Sequence, residues 1–76
     1  MQRAEKDIEI GIIGLGYVGL KELVSFSHAG EKVVGYDINK DKINILKKGK
    51  SPIGTVIDDE IERALELGCE FTGDYW

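Results

Sequence analysis

The chain has 76 residues, which is enough for one small domain or part of one. Ten basic and fourteen acidic residues give a formal net charge of −4, and no basic stripe of the kind that binds nucleic acid is present. Hydrophobic residues make up 42% of the chain, but no apolar run approaches the ~20 residues that cross a bilayer. We therefore expect a globular domain that binds neither nucleic acid nor a membrane.

The sequence contains a single cysteine, Cys69, so no disulfide can form within the chain and no cysteine pair has the spacing of a metal site. We expect a reducing, cytoplasmic location and no bound metal. Residues 1–7 are rich in charge and lack the apolar stretch of a signal peptide, so we expect a flexible N-terminal arm.

Strand and helix patterns alternate along the chain. Residues 8–13 are rich in β-branched residues and predict a first strand that is buried beyond Glu9, while residues 33–37 and 69–72 predict a second and a third strand. Because these strands are separated by helical segments, we expect them to pair in parallel through right-handed crossovers.

Three helices are predicted, each ending at a glycine. The first ends at Gly30, the second begins after an N-cap at Asn39 and ends at Gly49, and the third ends at Gly68. The apolar residues predicted to face the core from these helices are Leu20, Leu23, Val24, Ala29, Ile43, Ile45, Leu46, Ile57, Ile61, Ala64, Leu65 and Leu67.

The predicted fold class is α/β. Residues 1–76 are expected to form one partial domain, a three-layer half-Rossmann fold with about three parallel strands in the order 3-2-1 and helices between them. In a complete fold of this type the first strand is central. Here we expect that strand to be an exposed edge through which copies of the chain associate.

The glycines of residues 14–19 (GLGYVG) lie between the first strand and the first helix. Gly14 permits a tight exit from the strand, Gly16 lets the backbone approach a pyrophosphate, and Gly19 lets the helix pack close to the strand. The amides at the N-terminus of the helix bind an anionic pyrophosphate without a cationic side chain. This loop therefore predicts a dinucleotide-binding site.

Asp37 ends the second strand, 21 positions after Gly16. At a spacing of about 20, an acid in such folds accepts hydrogen bonds from the adenosine ribose. Its charge repels a 2′-phosphate, so the predicted cofactor is NAD rather than NADP. The alternative is a structural turn between strand and helix that has lost its ligand.

Four segments carry a more specific pattern, namely residues 12–20 (IIGLGYVGL), 33–38 (VVGYDI), Lys42 and 49–53 (GKSPI). Together they resemble the N-terminal part of the NAD-binding domain of the UDP-glucose/GDP-mannose 6-dehydrogenases. The resemblance implies an NAD-dependent oxidoreductase that oxidises the C6 hydroxyl of a UDP- or GDP-sugar to the acid in two steps.

The resemblance also implies roles for individual residues. Tyr17 and Val18 would offer backbone amides to the cofactor, while Asp37 and Lys42 would contact its adenosine ribose; Lys42 is alternatively a solvated helix side chain. The family's catalytic residues correspond to positions beyond this chain, so no catalytic residue is predicted, and we interpret Cys69 as a buried, inert thiol. The predicted cofactor-binding residues are therefore Gly14, Gly16, Tyr17, Val18, Gly19, Asp37 and Lys42.

The chain departs from the family pattern after Leu20, where Lys21, Glu22 and Leu23 replace the usual Pro-Leu-Ala. A leucine in place of the small residue predicts that the helix is pushed away from the sheet, at a cost of about 1–3 kcal/mol, and that cofactor binding weakens. Three functions stay open: an NAD-binding fragment of a nucleotide-sugar dehydrogenase, a stand-alone nucleotide-binding or regulatory module, and a folded remnant without tight ligand binding.

Overall fold

The computed structural model of the chain describes residues 9–54 and 56–74. Its elements in chain order are β1 (Glu9–Ile13), α1 (Tyr17–His28), β2 (Lys32–Tyr36), α2 (Lys40–Lys47), α3 (Asp58–Glu66) and β3 (Glu70–Thr72). This is the predicted succession of strands and helices. The prediction of a flexible arm over residues 1–7 lies outside the described residues. No helix in the described ranges is both long and apolar enough to span a membrane.

The three strands form one open parallel sheet in the order β1-β2-β3. Ile12, Gly35 and Phe71 lie side by side across it. Each crossover therefore moves the chain one strand further from β1, as expected for right-handed connections in one direction. The α/β class, the parallel pairing and the predicted strand order are confirmed.

A single hydrophobic core joins all three helices to one face of the sheet. Its fully buried members include Leu20 of α1, Leu46 of α2, Ile61 of α3 and Val33 of β2. Two right-handed crossovers in the same direction place their helices on the same side of a sheet. The helices of the described residues therefore pack together on one face of the sheet.

Several apolar residues that were predicted to be buried are exposed. Ala29 and Leu67 are C-caps and Ile57 is an N-cap, so all three lie just outside the helices whose inner faces they were expected to extend. Ile45 is on the outer side of α2. Ile13 is 64% exposed, because it lies on the sheet face opposite the three helices.

Leu23 does not push α1 away from the sheet, so that prediction was wrong. Its side chain is fully buried over Gly35 of β2, where an added Cβ would lie 2.6 Å from Leu23 Cδ1. At the start of the same helix, a Cβ on Gly19 would overlap the carbonyl oxygen of Gly14. The missing side chain at position 35 gives Leu23 its space, and α1 stays close to β1.

Candidate functional site

The glycine loop, residues 14–19, leaves β1 at the carboxyl end of the sheet. The Gly14 N–H donates a hydrogen bond to the Tyr36 carbonyl oxygen at 2.8 Å, which ties the loop to β2. Gly14 has a φ of 89°, in the left-handed region that residues with a Cβ rarely adopt. The loop conformation and the close approach of α1 at Gly19 therefore both depend on glycine.

The N-terminus of α1 has the properties of an anion site. Gly16 is its N-cap, no side chain among the described residues caps it, and its first turn contains no acidic residue. The first amides of a helix have no acceptor within the helix, so those of Tyr17 and Val18 are available to a ligand. A Cβ on Gly16 would meet no atom of residues 9–54 or 56–74 within 4 Å. These amides and the helix dipole suit a phosphate group.

Asp37 follows β2 at the same edge of the sheet and is only 7% exposed. Its Oδ2 accepts hydrogen bonds from the Leu15 N–H at 2.8 Å and from Lys42 Nζ at 3.1 Å, while its Oδ1 accepts one from the Asn39 N–H at 2.9 Å. A carboxylate has about four acceptor positions. The position to which no described residue donates is therefore on Oδ1, where a ligand hydroxyl can donate.

These contacts also decide the charge of Asp37. Burial raises the pKa of its carboxyl group, but the backbone hydrogen bonds from Asn39 and Leu15 and the hydrogen bond and positive charge of Lys42 together hold that pKa below its ordinary value. Asp37 is therefore ionised at neutral pH and acts only as a hydrogen-bond acceptor.

The Lys42 side chain contacts Asp37 and does not extend into solvent. The side chain of Asn39 caps this helix by accepting a hydrogen bond from the Lys42 N–H at 3.1 Å, as the sequence predicted. The Lys42 ammonium group then reaches back to Asp37 Oδ2, and its side chain is only 22% exposed. The interpretation of Lys42 as a solvated side chain was therefore wrong.

A groove of about 480 Å³ runs along the outer side of α1 beside the loop, and its lining consists of Tyr17, Val18, Lys21, Glu22 and Ser25. The side chains of Tyr17 and Val18 are 64% and 73% exposed. They border the helix N-terminus with apolar surface.

Sequence reasoning missed two of the three donors to Asp37, the backbone amides of Leu15 and Asn39. Main-chain donors have no residue-type signature, so the composition of the loop could not reveal them. One signal was available for Leu15, since an apolar residue between two glycines of a solvent-facing loop calls for a buried partner.

Cys69 lies away from this site. It directly precedes β3 and therefore lies at the amino edge of the parallel sheet, while the glycine loop and Asp37 lie at the carboxyl edge. Burial, and next the charge of Glu70, raises the pKa of the thiol to about 12. The prediction of a buried cysteine is confirmed, and a protonated thiol is a poor nucleophile at neutral pH.

Comparison with known proteins decides the family. Residues 8–75 match the NAD-binding domain of the UDP-glucose/GDP-mannose dehydrogenase family. The chain belongs to the UDP-glucose/GDP-mannose dehydrogenase family. The resemblance seen in the sequence is thereby confirmed, and the cofactor of this UDP-glucose/GDP-mannose dehydrogenase domain is NAD.

Individual members of the family support this assignment. The chain is 39% identical over 59 residues to the UDP-N-acetyl-D-mannosamine dehydrogenase of Pyrococcus horikoshii, covering 78% of this chain and 13% of the relative. It is 41% identical over 61 residues to the GDP-mannose 6-dehydrogenase of Pseudomonas syringae pv. syringae, covering 80% and 13%. The solved structure of a UDP-glucose dehydrogenase from Pyrobaculum islandicum matches with a TM-score of 0.82 and 30% identity over 97% of this chain and 18% of that one.

The chain thus spans about an eighth of the length of these two curated relatives and less than a fifth of that structure. The similarity concerns the cofactor-binding part of the relatives.

Proposed function

We propose that this chain binds NAD for the oxidation of the C6 hydroxyl of a UDP- or GDP-sugar, and that the 76 residues alone bind the cofactor without turning over substrate. The observation that carries the proposal is the uncapped N-terminus of α1, placed beside a buried and ionised Asp37 at one edge of the sheet. This pairing offers donors to a pyrophosphate and an acceptor to a ribose.

In this proposal the glycine loop binds the pyrophosphate. The amides of Tyr17 and Val18 donate to its oxygens, Gly16 leaves space for it, and the glycines at 14 and 19 shape the backbone around it. The open space at Gly16 and the absence of an acid in the first turn of α1 support this role. No cationic side chain is needed, since the helix N-terminus supplies the favourable field.

We assign the adenosine ribose to Asp37, with Lys42 beside it. The open acceptor position on Asp37 Oδ1 receives a ribose hydroxyl, and the negative charge disfavours the 2′-phosphate of NADP. Lys42 orients the carboxylate through its contact with Oδ2 and, after the backbone amides of Asn39 and Leu15, contributes to its lowered pKa.

Bound NAD supplies the hydride acceptor for the oxidation. The residues described here bind and orient it, and Cys69, with its raised pKa and its place at the opposite edge of the sheet, is not suited to act as the nucleophile. A reducing compartment such as the cytoplasm suits this free thiol.

Titration calorimetry of the chain with NAD and with NADP tests the cofactor assignment. We expect saturable binding of NAD and weaker binding of NADP. A second assay adds NAD and a UDP- or GDP-sugar and follows NADH absorbance, for which we expect no increase. Preference for NADP would contradict the role of Asp37. Failure to bind either nucleotide would favour a folded remnant.

We also propose that copies of the chain associate through β1. Among the described residues, β1 pairs only with β2, and Ile13 at its end is largely exposed. A strand edge with apolar neighbours favours pairing with another strand, here from a second copy. Sedimentation should show a mass that rises between micromolar and millimolar concentrations, and a constant monomer mass would contradict the proposal.

A further inference from the structure

Leu15 has an unusual environment for a loop residue. Its side chain is completely buried, although Gly14 and Gly16 on either side are exposed. The burial depends on β2, because a Cβ on Gly35 would lie 3.0 and 3.1 Å from the two Leu15 Cδ atoms. Contacts this short force a neighbour to move. The glycine at 35 therefore leaves the space that the Leu15 side chain fills.

The backbone around Leu15 is fixed on the same strand. The Gly14 N–H donates to the Tyr36 carbonyl oxygen, and the Leu15 N–H donates to Asp37 Oδ2, both at 2.8 Å. Residues 35–37, at the end of β2, thus contact two successive residues of the loop, Gly14 and Leu15. The residue whose side chain packs on Gly35 is the one whose amide contacts the carboxylate.

We propose that Leu15 is a positioning residue for the dinucleotide: its buried side chain, packed against Gly35, holds the Leu15 amide on Asp37 Oδ2 and so directs Oδ1 to the ribose. The proposal rests on the proposed binding of NAD at this loop. It assigns a role in binding to two residues, Leu15 and Gly35, that make no contact with the cofactor through a side chain.

The pattern of donors explains why this contact sets the direction of the carboxylate. Leu15 and Lys42 together fill the acceptor positions of Oδ2, whereas Oδ1 receives only the Asn39 amide among donors in the described part of the chain. Without the Leu15 side chain, the loop backbone loses its packing on β2 and the amide drifts from Oδ2. The carboxylate then keeps only its hydrogen bonds to Lys42 and Asn39 among the described residues, and the loop amides lose their fixed distance from it.

The test compares Leu15→Ala with Leu15→Met and with Ile61→Ala in calorimetric titrations with NAD. Ile61 is equally buried, but it lies in α3, which contributes no residue to the site. We expect Leu15→Ala to weaken NAD binding about tenfold, the effect of losing one hydrogen bond to a charged group. Leu15→Met keeps the side-chain volume and should stay within about twofold of the unmodified chain. Ile61→Ala should bind NAD as the unmodified chain does.

A second measurement needs no cofactor. The pKa of the Asp37 carboxyl group, followed by NMR, should rise in Leu15→Ala because one stabilising hydrogen bond is lost, and should not change in Ile61→Ala. If Leu15→Ala does not fold, Leu15→Val replaces it, because it shortens the side chain that packs on Gly35 while leaving a smaller cavity. The same directions of change in NAD affinity and in the Asp37 pKa are expected.

The outcomes separate the proposal that the chain binds NAD from the proposal that Leu15 positions Asp37 for it. If the unmodified chain does not bind NAD, the proposed function fails, and the role of Leu15 in cofactor binding fails with it. If the unmodified chain binds NAD and Leu15→Ala binds equally well, only the role of Leu15 is overturned. An equal loss of affinity in Ile61→Ala would also overturn it, because general destabilisation would then explain the effect.

Discussion

At the scale of single residues, the carboxylate of Asp37 connects three parts of the molecule. It accepts hydrogen bonds from the glycine loop through Leu15, from the residue that caps α2 through Asn39, and from α2 itself through Lys42. Each contact favours the ionised form, and together they outweigh the effect of burial on its pKa. The carboxylate proposed to bind the ribose thus also links the glycine loop to α2.

Replacing this carboxylate tests the cofactor assignment. Asp37→Asn keeps the size of the side chain but removes its charge and one acceptor oxygen. We expect NAD affinity to fall about tenfold to a hundredfold, the range for hydrogen bonds to charged groups. Binding of NADP should fall less, because the repulsion of its 2′-phosphate is removed. Asp41→Asn, which makes the same charge change at an exposed position of α2, is the matched control for both titrations.

The pKa of Asp37 also predicts a dependence of stability on pH. Because the folded pKa is lowered, ionised Asp37 stabilises the fold at any pH above the ordinary aspartate pKa of about 3.9. That contribution is lost as the pH falls through the lower pKa of the folded state, since the unfolded chain takes up the proton first. Urea unfolding midpoints measured from neutral pH down to acid should therefore fall more steeply in the unmodified chain than in Asp37→Asn. Parallel pH curves for the two proteins would contradict this account.

At the scale of elements, the close packing of α1 on the sheet brings its N-terminal amides next to Asp37. Gly19 and Gly16 contribute to this arrangement in different ways, and substitution of each by alanine distinguishes their roles. A Cβ on Gly19 would overlap the Gly14 carbonyl oxygen, whereas a Cβ on Gly16 would meet no atom of the residues that the structure describes within 4 Å. Gly19 is therefore needed by the fold, whereas Gly16 is needed only if a ligand lies against it.

We therefore expect the two alanine variants to differ in their free energy of unfolding relative to their loss of NAD affinity. Gly19→Ala should lower the free energy of unfolding by about 1–3 kcal/mol, because α1 must move away from β1. Gly16→Ala should lower it by less than about 1 kcal/mol, the scale of an N-cap change, but should weaken NAD binding at least as much as Gly19→Ala does. Guanidinium unfolding and NAD titration of both variants provide the measurements. A stable Gly16→Ala variant with unchanged NAD affinity would argue against a pyrophosphate at the loop.

Leu23 gives a second prediction at this scale. Because it is buried over Gly35, Leu23→Ala should leave a cavity and lower the free energy of unfolding by about 2–5 kcal/mol. Leu23→Met conserves the volume and should cost less than about 1.5 kcal/mol. Chemical unfolding followed by circular dichroism decides the matter, and a gain in stability in Leu23→Ala would show that the leucine overpacks the interface after all.

At the scale of the whole molecule, the order of the elements was predictable because their signals are local. The β-branched run before Gly14, the N-cap at Asn39 and the glycine after each helix are features of short segments, and the structure reproduces all of them. The parallel pairing of the strands followed from the helical segments that separate them in the sequence. Gly14, Gly16 and Asp37 were likewise predictable as a site because their roles depend on residue type and spacing.

What the sequence did not reveal depends on contacts between distant segments. The space for Leu23 comes from Gly35 on another element, and the amides that fix Asp37 come from backbone atoms of the loop and of α2. Such features depend on packing rather than on any local pattern.

The chain corresponds to the cofactor-binding part of much longer dehydrogenases, and the central claim is that this part binds NAD at the glycine loop. The most direct test is an NMR titration with NAD that follows every backbone amide. We predict saturable shifts at Gly14, Gly16, Tyr17 and Val18, with the amides of Asp58–Glu66 in α3 unchanged. No shift at millimolar NAD, or shifts confined to residues away from the loop, would contradict the account.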